Sequence, residues 1–132
     1  MNKIERVLLV DDDNIANFLN VRLLKKLNLT SEIKITNTGE EALDYLSNVS
    51  TSKTYPSLIF LDINMPIMNG IDFINIFKAK KHHSNRPVII VLSSSSNVTD
   101  IESLKESEII SDFIVKPLTE EKVNIVVSKY FK

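Results

Sequence analysis

Apolar and polar positions along this chain change period several times. "RVLLV" (6–10) is an unbroken apolar run, the pattern of a strand covered on both faces. From Ile15 to Leu29 the spacing lengthens: Ile15, Phe18, Leu19, Leu23 and Leu27 recur at helical intervals, and Asp13 or Asn14 can cap the start. "EIKIT" (32–36) alternates, with Ile33 and Ile35 opposite Glu32, Lys34 and Thr36, as an edge strand does. "TGEE" (38–41) is a Thr-x-x-Glu capping box that leads into a helix face of Ala42, Leu43 and Leu46. After a polar, proline-ended loop (48–56), "SLIFL" (57–61) reads as a second doubly buried strand. A helix with Ile71, Ile74 and Phe77 follows "NMPIMNG" and dissolves into "KKHHSNRP". "VIIVL" (88–92) is a third buried strand, followed by the loop "SSSSN" and a short helix opened by the capping box "TDIE" (99–102). "IISDFIV" (109–115) is a strand with two polar positions, Ser111 and Asp112, hence an edge. The last helix starts at Thr119 and shows Val123, Val126, Val127 and Tyr130 on one face, with acids in its first turn and Lys129 and Lys132 in its last.

Five strands and five helices in strict alternation predict one parallel sheet with helices on both faces. Strands one, three and four look central and two and five look like edges, which is the 2-1-3-4-5 order of the flavodoxin-like α/β fold. No repeat, linker or second domain is apparent, so residues 1–132 are expected to form a single domain with no output domain attached.

Composition narrows the chemistry by exclusion. Sixteen basic residues against seventeen acidic ones leave a net charge of −1, so no global field draws the protein to nucleic acid or to an anionic membrane. There is no cysteine, which removes disulfides, thiolate nucleophiles and zinc–thiolate sites. With only two glycines, Gly39 and Gly70, neither a P-loop nor a dinucleotide fingerprint can be written. "VLLV" is too short for a signal sequence or a membrane span, and the expected location is the cytoplasm.

In this fold a site lies beyond the carboxyl ends of the strands, where the strand order reverses. Asp11, Asp12 and Asp13 end strand one, Asp62 ends strand three, Ser93 follows strand four and Lys116 ends strand five. Taken alone, the three aspartates read as well as a capped turn. Taken with Asp62 and Lys116, they form a pocket of converging charge. Carboxylates ~4 Å apart repel by about 4 kcal/mol at an effective dielectric of ~20, so such a pocket needs a counter-charge. A hard divalent cation suits oxygen ligands, and few protein ligands with room for a phosphate favour Mg²⁺ over Ca²⁺. The loop "DDDNIANF" lacks the glycine and distal Glu of an EF-hand.

"LLVDDD", "LDINMPIMNG", "VLSS" and "FIVKPL", in this order and spacing, resemble the receiver domain of two-component response regulators, over essentially the whole chain. A chain that is all receiver resembles the stand-alone chemotaxis-regulator type. The resemblance implies that Asp62 accepts a phosphoryl group from a phosphohistidine on a sensor histidine kinase or a histidine phosphotransfer protein. It implies Mg²⁺ as cofactor, with Asp12 a direct ligand, Asp11 helping to hold the ion, Asp62 a further ligand and Asn64 giving its backbone carbonyl. Asp13 falls one position beyond the acidic pair and is expected to cap the helix. Ser93 takes the place of the hydroxyl that follows the phosphoryl oxygens, with Ser94 the alternative if the strand slips by one residue. Lys116 pairs with the acceptor and then with the phosphate, Lys116–Pro117 is the bond expected to be cis, and Phe113 is the switch aromatic. Asn64 and Ser95 stand where the family tunes dephosphorylation. An unknown downstream protein would read the surface of the last two helices and strand five, and a homodimer is left open because no decisive apolar patch is legible.

Two rivals remain at this point. Asp11-x-Asp13 fits an aspartate-nucleophile phosphohydrolase of the haloacid-dehalogenase kind, although Asp62 then has no role. The other rival is a receiver that works as a phosphorylation-independent binding module. His82 and His83, in a polar loop before Pro87, read as solvated rather than as phosphocarriers.

Overall fold

Ten elements alternate along the chain: β1 (Ile4–Val10), α1 (Asn14–Lys26), β2 (Thr30–Thr36), α2 (Gly39–Asn48), β3 (Leu58–Asp62), α3 (Gly70–Ala79), β4 (Val88–Ser93), α4 (Val98–Leu104), β5 (Asp112–Val115) and α5 (Glu120–Tyr130). They come from a computed structural model that describes residues 4–49, 54–80, 86–94 and 98–131, the side chains of 98–100 excepted. His82, His83 and Ser95 lie outside the described residues, and so does the Thr99 side chain that the "TDIE" capping box requires.

All strand pairs are parallel, and the sheet runs β2-β1-β3-β4-β5, the order expected from the sequence. Alternate residues of the three central strands feed two separate cores, which is why their sequences read as unbroken apolar runs. On one face Leu8, Val10, Ile59, Leu61, Ile89 and Val91 pack with Ala42, Leu43 and Leu46 of α2, Phe73, Ile74 and Phe77 of α3, and Leu104 of α4. On the other, Val7, Leu9, Phe60, Ile90 and Leu92 pack with Leu24 of α1 and Val123 and Val126 of α5. Each such side chain, fully buried, contributes about 1.5–3 kcal/mol, so the central strands fix the positions of their carboxyl ends firmly.

Helix starts are set by side-chain caps. Asp13 Oδ1 accepts from the N–H groups of Ile15 (2.9 Å) and Ala16 (3.2 Å), so Asp13 rather than Asn14 is the cap of α1. Thr38 accepts from Glu41 N–H (3.0 Å), but Glu41 reaches past Thr38 to the N–H of Asn37 (2.8 Å), so the expected box closes one residue early. Asn69 and Asp72 form a reciprocal box at α3, and Thr119 accepts from Lys122 N–H at α5. Gly70 opens α3 where a Cβ would lie 2.8 Å from Ile63 Cα and 3.3 Å from Asp62 O, so the helix can start this close to β3 only without a side chain.

Three expectations need correction. Ile15, Phe18 and Leu19 do not face the core: they are 72%, 62% and 53% exposed, and α1 instead buries Asn17 and Leu24, with Val21, Leu23 and Leu27 at the margin. Only the first three members of the apolar series point outward, while Leu23 and Leu27 pack at the edge of the core. Thr36 does not sit on a solvent face; it is fully buried and its hydroxyl donates to Leu9 O (3.2 Å). The strand drawn over 109–115 is only Asp112–Val115, because Ser111 leaves the regular ladder: its N–H donates to Ile89 O (2.8 Å) and its hydroxyl accepts from Ile89 N–H (3.2 Å).

Candidate functional site

The sheet register brings four chain segments to one edge. Val10 pairs with Leu61, Asp62 with Leu92, and Ser93 with Val115, so Asp11, Asp62, Ser93 and Lys116 follow or occupy the last positions of adjacent strands. Oxygen atoms of Asp11, Asp12 and Asp62 lie within 4.8 Å of one another; Asp11 and Asp62 are buried and Asp12 is exposed. The Lys116 ammonium lies 3.1 Å from Asp62 Oδ1 and 3.5 Å from Asp11 Oδ2.

Three carboxylates against one ammonium leave two negative charges in a half-closed pocket. Carboxylates ~5 Å apart repel by about 3 kcal/mol at an effective dielectric of ~20. The strain falls on Asp11: burial, and then the neighbouring Asp62 carboxylate, push its pKa up to about 6 against the pull of the Asp13 N–H and Lys116. Burial works against the Lys116 ammonium, but Asp62 and Asp11 outweigh it and hold its pKa above the ordinary lysine value. Asp11 Oδ1 accepts from Asp13 N–H (2.9 Å), whereas the buried Asp11 Oδ2 has, among the described residues, only the Lys116 ammonium at 3.5 Å to face. A buried carboxylate oxygen so weakly partnered, in a cluster with excess negative charge, fits a hard divalent cation.

The remaining expected residues are placed as follows. Asn64 is exposed, and its N–H donates to Asp62 Oδ1 (3.2 Å), which orients the carboxylate from the loop side. Ser93 ends β4 fully buried, with Oγ unpartnered among the described residues and its carbonyl accepting from Lys116 N–H (2.7 Å). Ser94 is half-buried in the loop beyond. Lys116–Pro117 is cis. Phe113 is half-buried against the core that α2 and α3 share, which Ile109 and Ile110 also line.

Residues 7–128 match the response regulator receiver domain family. The chain belongs to this family. Among its relatives are the probable C4-dicarboxylate response regulator DctR of Halalkalibacterium halodurans, 31% identical over 95% of this chain, and the sensory transduction protein LytT of Bacillus subtilis, 33% identical over 96%. The chain spans 50% of the former and 48% of the latter, so it is similar to about half the length of these relatives. A solved two-component response regulator from Cytophaga hutchinsonii is similar over 96% of both chains, with 34% identity and a TM-score of 0.88. Receiver domains as a family are phosphoacceptor signalling modules, generally not true enzymes, that interact with histidine kinases and downstream effectors. The dehalogenase-like reading, with Asp11 as nucleophile, is set aside by this membership. No helix among the described residues is long and apolar enough to cross a membrane.

Several contacts at the receiver site were not legible in the sequence. Asn17 and Asn37 both donate side-chain amide hydrogens to Asp11 O, at 2.9 and 3.3 Å. The Lys122 ammonium donates to Val115 O (2.6 Å) and Pro117 O (3.0 Å), the carbonyls on either side of Lys116. A cation in the first turn of α5 opposes the helix dipole, and that mismatch is the only sequence signal Lys122 gives. Asn17 gives none, because one amide within an apolar helix pattern reads as an ordinary surface position. In the loop between β3 and α3, Ile67 forms the tip of a γ-turn (Met68 N–H to Pro66 O, 2.7 Å) with φ 68° and is 97% exposed. A β-branched residue in that conformation is strained.

Proposed function

We infer that this receiver takes a phosphoryl group on Asp62, with Mg²⁺ held by Asp11, Asp12, Asp62 and the Asn64 carbonyl. The observation that carries this reading is the cluster itself: three carboxylates with oxygens within 4.8 Å, one of them 3.1 Å from a lysine, at the reversal point of the sheet. An Asp62 carboxylate oxygen attacks phosphorus, the P–N bond of a phosphohistidine breaks, and the imidazole leaves and takes up a proton from solvent. Lys116 holds the acceptor in place and then turns to the new phosphoryl oxygens. Ser93, with its buried and unpartnered hydroxyl, supports the same assignment over Ser94, since it has a hydrogen bond to give. When bound, Mg²⁺ supplies positive charge to the equatorial oxygens, which phosphoryl transfer needs together with alignment.

Phosphorylation adds about −1.5 to −2 charge beside Ser93 and Lys116. Drawing both groups inward moves the loop after β4, and Phe113 fills the space given up. The surface of α4, β5 and α5 is the part read by a downstream protein, or by a second copy of the chain. The outward stripe of Ile15, Phe18 and Leu19 begins within two residues of the Asp13 cap and supports a protein-borne donor, a sensor kinase or phosphotransfer protein, docking beside the site. The cytoplasm is the compartment that fits such a donor. Loss of the phosphoryl group follows by attack of water on the same phosphorus.

Intact-protein mass after incubation with a small-molecule phosphodonor tests the reading, with and without Mg²⁺, for wild type and Asp62→Asn. One phosphoryl adduct that requires both Mg²⁺ and Asp62 is expected. An adduct that persists in Asp62→Asn would move the nucleophile elsewhere and overturn the assignment.

A further inference from the structure

Helix α1 leaves three large apolar residues of its first turns exposed while an amide, Asn17, shares the buried face with Leu24 and has only 3% of its surface exposed. An apolar side chain at that position would add to the core. Asn17 also keeps a buried Oδ1 with no hydrogen-bond partner among the described residues, a feature that lowers stability. Only its Nδ2 is used, in a 2.9 Å bond to Asp11 O. A residue placed against both helix pattern and polar satisfaction points to a role beyond the fold.

That role follows from the position of Asp11 O. The Asp11 N–H is already tied to Thr36 O (3.1 Å) at the edge of the sheet. Asn17 from α1 and Asn37 from the β2–α2 turn then hold the carbonyl from two sides, and Asn37 also donates to Asn14 Oδ1 (3.3 Å). The peptide between Asp11 and Asp12 therefore cannot rotate, although β1 ends at Val10 and the two carboxylates stand on irregular backbone. Both carboxylates hang from this one peptide. Its rotation would swing the exposed Asp12 away from Asp11 and Asp62.

We propose that Asn17 is a positioning residue for the cation site: it locks the Asp11–Asp12 peptide from below, with Asn37 as its weaker counterpart. This rests on the metal reading above. Outer partners that orient metal ligands commonly change affinity by about 10–100-fold when lost, and a lock acting through backbone belongs at the lower end of that range.

The test is calorimetric Mg²⁺ titration of the unphosphorylated protein, paired with thermal unfolding in EDTA, for wild type, Asn17→Leu, Asn17→Ala, Asn37→Ala and the Asn17→Leu/Asn37→Ala pair. Leu fills the space of the amide and removes the orphaned oxygen, whereas Ala leaves a void, so the two variants differ in stability but share the missing hydrogen bond. Both are expected to bind Mg²⁺ about tenfold more weakly, and Asn17→Leu to unfold in EDTA no lower than wild type. Asn37→Ala alone should have the smaller effect, and the pair should lose more affinity than the two singles combined. Wild-type affinity in Asn17→Leu, or an affinity that tracks unfolding temperature across the set, would overturn the proposal. An Asn17→Leu that does not fold leaves Asn17→Ala to decide by the same comparison. Absence of Mg²⁺ binding by the wild-type chain would instead remove the metal reading, and this inference with it.

Discussion

The ammonium of Lys116 is the ion-pair partner of both buried carboxylates, 3.1 Å from Asp62 and 3.5 Å from Asp11. Its positive charge thus offsets the repulsion between two carboxylates held close together at the reversal point of the sheet. Replacing Lys116 with Met leaves those carboxylates facing each other in a half-closed site, a change of the kind that costs about 1–3 kcal/mol. Thermal unfolding of Lys116→Met in EDTA at neutral pH should fall accordingly, and added Mg²⁺ should recover much of the loss.

Asp11 makes the opposite case. Its carboxylate is charged at neutral pH only against burial and the neighbouring Asp62, with its pKa raised to about 6. Asp11→Asn removes a charge that opposes folding, so the variant should unfold at a higher temperature than wild type in EDTA. Millimolar Mg²⁺ should raise the wild-type midpoint through preferential binding to the folded state and leave the variant nearly unmoved. A variant less stable than wild type in EDTA would show that the Asp11 charge is compensated better than the geometry indicates.

Ile67 combines a φ of 68° with almost complete exposure, so its side chain adds strain and no packing. Ile67→Gly should stabilise the fold by roughly 0.5–1 kcal/mol, the relief of a left-handed conformation less the entropy of a glycine. If the apolar tip serves a protein donor, the same variant should accept phosphoryl groups from a small-molecule donor at the wild-type rate and from a phosphohistidine protein more slowly. Parallel measurement of the two rates separates these effects.

Asp112 sets a pH dependence remote from the acidic site. Burial alone would raise its pKa, but the Phe113 N–H, the Lys129 ammonium and the Tyr130 hydroxyl outweigh burial and hold it below the ordinary value of 3.8. A folded-state pKa below the unfolded one means that the stabilisation is complete above the unfolded value and disappears as pH falls through the folded value. Wild type should therefore exceed Asp112→Asn in unfolding temperature by a constant margin from pH 7 to about 5, and the margin should close below about pH 4. A margin independent of pH down to 3 would assign the difference to packing.

The parts of this molecule legible in its sequence are those with a local physical signature. Three strands buried on both faces had to be unbroken apolar runs, and the caps Thr38 and Thr119 had to precede helices rich in first-turn acids. Helical spacing located the stripe of Ile15, Phe18 and Leu19, but period alone cannot distinguish a face turned to the core from one left for a partner. The pattern over 109–115 marks Ser111 and Asp112 as polar, which suits an edge strand as well as a break, so the sequence does not reveal that the ladder begins only at Asp112. Asp11, Asp12, Asp62 and Lys116 could be found because charged residues at the ends of apolar strands are conspicuous. Asn17, Asn37 and Lys122 could not, since each acts through a hydrogen bond to backbone distant from its own local pattern.

The spacing between Asp62 and the start of α3 depends on a hydrogen atom. At residue 70 even one methyl group would press on the backbone of Ile63 and crowd the carbonyl of Asp62. Because backbone cannot swing aside as a side chain can, α3 would have to slide outward and draw on the very turn that orders the acceptor. Drift at most surface positions would leave this chain's charges where they are; drift at Gly70 would shift their geometry without altering a single one of them.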